Sequence, residues 1–86
     1  MIRVLIVDDS PVICTSLATS IGRFGGRFAA AGTAGNGVQA LEWLERHFAD
    51  VCITDIRMPV MDGLALVERI NERFPWMVSL IVSSYD

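Results

Sequence analysis

The 86-residue sequence predicts an α/β fold whose strands form one doubly wound parallel sheet. Three observations carry that prediction. Short β-rich apolar runs alternate with segments of helical periodicity, the pattern of βαβ units. The runs Ile2–Val7 and Val51–Thr54 each stop at polar turn residues, Asp8-Asp9 and Asp55, as buried strands do. Hydrophobic residues make up 52% of the chain against 20% charged, enough to fill a core and too apolar for a disordered segment.

The first strand is read over Arg3 to Val7. Ser10 then suits a helix N-cap and Pro11 the first helical position, where a missing N–H costs nothing. Val12, Ile13, Leu17 and Ile21 recur at helical spacing and are expected to face the sheet. Gly22, Gly25 and Gly26 end that helix in a turn. Phe28 to Thr33, rich in alanine, is the second strand. Gly35-Asn36-Gly37 turns into a second helix with Asn36 as N-cap and Ala40, Leu41, Leu44 and Phe48 as its apolar stripe. Asp50 to Thr54 is the third strand. Arg57 to Gly63 is a loop closed by the Asp62-Gly63 turn pair. Leu64, Leu66, Val67 and Ile70 begin a third helix, which Pro75 cannot continue. Met77 to Val82 is the fourth strand.

Right-handed crossovers limit how such a chain winds. Covering both faces of the sheet requires one reversal of strand order, and the order 2-1-3-4 places strands one and three side by side at that point. Ligand sites in open parallel sheets lie at the carboxyl ends of the strands. Neighbouring strands are about 4.8 Å apart, so Asp8, Asp9 and Asp55 are expected to converge on one pocket. Three carboxylates repel one another unless a cation or a shared proton intervenes. An oxygen-only site of this kind suits Mg²⁺, which works alongside phosphate groups. A carboxylate so placed is an oxygen nucleophile toward phosphorus. A hydroxyl at the end of the next strand, from Ser83 or Ser84, is positioned to bond a phosphoryl oxygen.

Other classes fit poorly. The net charge is −3, and the seven basic residues are all arginines scattered along the chain, so no nucleic-acid binding is expected of it. No apolar run approaches the roughly 20 residues that cross a bilayer, and the N-terminus is unlike a signal peptide, so no membrane is expected and the location reads as cytoplasmic. Cys14 and Cys52 stand alone and read as buried thiols, without zinc-ligand spacing. His47 sits near a helix end beside Arg46, an ordinary stabilising place for a cation. Trp43 and Trp76 read as packing or a partly covered surface, and Glu68, Arg69, Glu72 and Arg73 as a solvated helix face.

The segments Val4-Leu5-Ile6-Val7-Asp8-Asp9-Ser10-Pro11, Asp55-Ile56-Arg57-Met58-Pro59-Val60-Met61-Asp62-Gly63 and Ile81-Val82-Ser83 resemble the receiver domain of two-component response regulators, in the same order and spacing. The resemblance implies a flavodoxin-like fold and a signalling phosphoacceptor rather than an enzyme. It implies that Asp55 takes a phosphoryl group from a sensor histidine kinase. It also implies that Asp9 binds Mg²⁺ directly, that Asp8 acts largely through a bound water, and that the Arg57 backbone carbonyl completes the metal ligands. Ser83 corresponds to the switch hydroxyl. The ending Ser83-Ser84-Tyr85-Asp86 resembles receivers joined to transcription regulators.

The chain also departs from the family pattern. Such domains run to about 120 residues, with a lysine on a fifth strand that pairs with the phosphoryl group; this chain has no lysine. Residues 1–86 are therefore expected to form a single receiver domain truncated after the fourth strand, lacking the fifth strand and last two helices. Its fourth strand would be an open edge, and homo-oligomers are expected through that strand or by exchanged elements. The absent lysine would also impair self-phosphorylation. The competing function is a structural or self-associating fragment without phosphoryl chemistry. An aspartate-nucleophile phosphatase needs an acid two residues beyond the nucleophile, where Ser10 or Pro11 stands here. A flavin carrier would place its phosphate against the acids after the first strand, which would repel it.

Overall fold

The computed structural model describes residues 1–82. The elements run β1 (Ile2–Val7), α1 (Pro11–Gly22), β2 (Phe28–Ala34), α2 (Gly37–Leu44), β3 (Val51–Asp55), α3 (Gly63–Arg73) and β4 (Val78–Val82). All strand pairs are parallel, and the order is β2-β1-β3-β4. The expected doubly wound, flavodoxin-like topology is therefore present, with β1 and β3 adjacent at the reversal. Ala31 is an extra residue opposite the Val4/Leu5 step, so β2 carries a bulge.

Helix limits follow local chemistry. The Ser10 hydroxyl accepts from Ile13 N–H at 3.4 Å, and the side chains of Asn36 and Asp62 accept from Gln39 and Ala65 N–H at 2.9 Å each. Phe74 caps α3 just before Pro75. Gly25 and Gly26 take φ of 61° and 79°, left-handed values open to glycine.

Strand alternation divides the core. Leu5, Val7 and Cys52 point to one face and pack with Leu41, Leu44, Leu66 and Ile70 of α2 and α3. Val4 and Ile6 point to the other and meet Cys14, Leu17, Ala18 and Ile21 of α1. Both cysteines are free and buried, as expected.

Two expectations about facing residues need correction. Val12 does not face the sheet and is 74% exposed, whereas Ile13 lines a small cavity with Leu17, Ile53 and Val82. The buried stripe of α1 is Cys14, Leu17, Ala18 and Ile21, the i, i+3, i+4, i+7 set. Phe48 does not belong to the α2 stripe, because that helix ends at Leu44, and Phe48 is exposed. Its backbone carbonyl accepts instead from Arg3 Nε at 2.8 Å.

Because α1 lies over the β1–β2 half of its face, no element among the described residues covers the β3–β4 half. Val4, Ile21, Phe24, Phe28, Val51, Ile53, Val78 and Leu80 line an apolar groove of about 370 Å³ there.

Candidate metal and phosphoryl site

The carboxyl ends of β1 and β3 carry the candidate chemistry. Val7 pairs with Thr54, so the residues that follow, Asp8 and Asp55, emerge at the same level from adjacent strands. One carboxylate oxygen from each of Asp8, Asp9 and Asp55 lies within 4.8 Å of the others. The structure thus joins three of the expected residues at one point. Asp9 also lines a cleft of about 430 Å³ with Ile56, Arg57, Met58, Pro59 and Asp62, which places Arg57 beside the acids. The expectation for Ser83 lies outside the described residues.

The three acids have different surroundings. Asp8 is buried and its Oδ1 accepts from Ser10 N–H at 2.8 Å; Asp9 is exposed; Asp55 is half-buried and accepts from Ile56 N–H at 2.8 Å. Burial raises the Asp8 carboxyl above its ordinary range of about 4; the bond from Ser10 partly offsets this, and the charges of Asp55 and Asp9 push it up further. The Cys14 thiol donates to the Asp8 carbonyl at 3.5 Å, and its own pKa is raised, by burial first and then by the Asp8 charge. The donor set of three carboxylates and no nitrogen or sulfur fits a hard divalent cation such as Mg²⁺. A cation there would cancel the repulsion that the fold enforces.

The loop after β3 is held by close backbone contacts. A Cβ on Gly63 would collide with the Asp55 backbone carbonyl, so only glycine lets α3 start this close to the site. Gly63 N–H donates to the Ile56 carbonyl at 2.8 Å. Gly37 N–H donates to the Met61 carbonyl at 3.1 Å, which ties the same loop to the start of α2. Thr54, fully buried, donates its hydroxyl to the Asp55 carbonyl at 2.9 Å. The Asp-Gly pair and the strand-ending threonine were the visible signals; the contacts they make were not. Val60 has φ of 71°, costly for a β-branched residue, and is 81% exposed at the loop tip.

Comparisons with known proteins agree with this fold. The family model "Response regulator receiver domain" matches residues 4–86. A protein-glutamate methylesterase/protein-glutamine glutaminase of Hahella chejuensis is 48% identical over 83 residues, covering 96% of this chain and 23% of the relative. Among solved structures, the signal receiver domain of the putative response regulator NarL from Mycobacterium tuberculosis superposes with a TM-score of 0.87 at 29% identity, covering 99% of this chain and 68% of that one. A two component transcriptional regulator AraC from Clostridium phytofermentans gives a TM-score of 0.87 at 32% identity, covering all of this chain and 69% of that one. The chain thus spans about a quarter of the length of the curated methylesterase relatives it matches.

Proposed function

The chain belongs to the response regulator receiver domain family, and on that premise we propose that Asp55 accepts a phosphoryl group from the phosphohistidine of a sensor histidine kinase. The observation that supports this reading is the meeting of the Asp8, Asp9 and Asp55 carboxylates within 4.8 Å. An ionised Asp55 oxygen attacks phosphorus, the new O–P bond forms as the P–N bond of the donor breaks, and the leaving imidazole takes up a proton. Asp8, Asp9, Asp55 and the Arg57 carbonyl would hold Mg²⁺. When bound, that ion offsets the negative charge on the carboxylates and phosphoryl oxygens. The backbone N–H groups that bind Asp8 and Asp55 orient their side chains toward one point. Ser83, by resemblance, bonds a phosphoryl oxygen in the product.

In this reading the module signals rather than catalyses, and it works in the cytoplasm. Among the described residues no helix is long and apolar enough to cross a membrane. Esterase activity is a property named for the full-length relatives, of which this chain spans a minor part.

Incubation with Mg²⁺ and acetyl phosphate should add one phosphoryl mass, lost in Asp55→Asn and suppressed by a chelator. A folded chain that gains no such mass would refute the proposal. That result would favour the second reading, a self-associating receiver fold without phosphoryl chemistry. One observation supports it: Val78, Leu80 and Val82 of β4 are at least half exposed. Light scattering over a wide concentration range should then show a second copy docking through β4, weakened by Leu80→Lys.

A further inference from the structure

The end of the molecule opposite the acids is basic and apolar at once. Parallel winding sends the loops 23–27, 45–50 and 74–77 to the amino ends of the strands, about five residues or some 17 Å from the acidic site. Backbone bonds tie the first two loops to the start of β1 and the second to the start of β4. Ile2 N–H donates to the Arg27 carbonyl at 2.8 Å, Asp50 N–H to the Arg3 carbonyl at 2.8 Å, and Val78 N–H to the Asp50 carbonyl at 3.1 Å. Each loop carries one exposed aromatic residue: Phe24 at 60%, Phe48 at 51% and Trp76 at 58%. A single exposed aromatic is ordinary. Three loops at the same end each present one.

Five of the seven arginines share this end: Arg3, Arg23, Arg27, Arg46 and Arg73. The acids among them are Glu45, paired with Arg73 at 3.2 Å, and Asp50, which accepts from Arg3 N–H at 2.8 Å. Glu42 stands one turn up on α2, and Glu72 on α3 pairs with Arg69 at 3.5 Å. Among the described residues Arg23, Arg27 and Arg46 have no carboxylate partner. A chain of net charge −3 therefore has one locally positive end.

We propose that this end docks on the surface of an anionic lipid bilayer. Arginines attract anionic headgroups, and aromatic side chains settle at the headgroup level, where an apolar body and a wet rim are both satisfied. Duplex phosphates would engage the arginines but leave three aromatic tips with nothing to bury them. Docking in this pose directs Asp8, Asp9 and Asp55 away from the bilayer, so the surface contact and the acidic site work independently.

The test is co-sedimentation with vesicles of three parts phosphatidylcholine to one part phosphatidylserine, beside vesicles of phosphatidylcholine alone. Binding should need the anionic lipid and weaken as salt rises. The triple variant Arg23→Gln, Arg27→Gln, Arg46→Gln should bind about a hundredfold more weakly, roughly fivefold for each basic side chain near an anionic surface. It should keep its thermal midpoint, since none of the three is ion-paired among the described residues. Anionic vesicles should blue-shift tryptophan fluorescence in the native chain and not in Trp76→Phe, while Asp55→Asn binds normally. Equal binding to neutral vesicles, or full binding by the triple variant, would overturn the proposal and point to the β3–β4 groove. A shift that survives Trp76→Phe would overturn the pose. No vesicle binding, with arginine-dependent binding of an oligonucleotide, would replace the lipid by a nucleic acid.

Discussion

Replacing Asp8 by asparagine should make the metal-free protein more stable, although it removes a residue from the site. Two unit charges 4.8 Å apart repel by about 1 kcal/mol in a water-like dielectric and about 3 kcal/mol at an effective constant of 20. The cleft is open to solvent, so the lower end applies to Asp8 with Asp55, and exposed Asp9 adds less. Relief of desolvation at Asp8 adds to this, while asparagine keeps an oxygen to accept from Ser10 N–H. The expected gain is about 2 kcal/mol, which at this size raises the midpoint by on the order of 10 °C. The pH dependence has a definite sign. Because folding raises the Asp8 pKa, its favourable contribution is complete below the unfolded value near 3.8 and is lost as pH rises through the folded value. Denaturant melts in chelator should therefore show the native chain losing stability relative to Asp8→Asn from about pH 4 upward. Adding Mg²⁺ at neutral pH should stabilise the native chain more than the variant. A variant that is less stable than the native chain in chelator, or equally stabilised by Mg²⁺, would refute the electrostatic account of the cluster.

Gly63→Ala should lose about 2 kcal/mol or more, because its Cβ meets the rigid Asp55 backbone, and denaturant melts will measure it. Val60→Asn should gain about 1 kcal/mol, since asparagine tolerates the left-handed φ that valine resists; an unchanged midpoint would remove the strain argument. Burial pushes the Cys52 thiol up to about 12, so it should resist iodoacetamide at pH 8 until the chain is unfolded, and rapid native-state alkylation would contradict the packing.

Much of the site was legible in the residues themselves. Asp8, Asp9 and Asp55 end apolar runs, and a parallel sheet puts every strand's carboxyl end on one side, so period-two alternation plus right-handed winding predicts their meeting. Ser10, Asn36 and Asp62 were equally readable as caps, because an N-cap bond is closed within three residues of chain. Misreadings arose where a residue's fate depends on a distant neighbour. Val12 has helical spacing but is left exposed, and Phe48 lies past the end of α2, where its carbonyl accepts from Arg3 instead.

Local order and strand polarity, then, were determined by the sequence alone, since they depend on hydrogen bonds and periodicities within a few residues. Only the tertiary structure decided that Gly63 must clear the Asp55 carbonyl, that Asp8 is buried while Asp9 is exposed, and that three exposed aromatic residues and five arginines share one end. The reason is physical: burial and collision are set by atoms far apart in the chain, brought within contact distance only when the sheet and its helices pack.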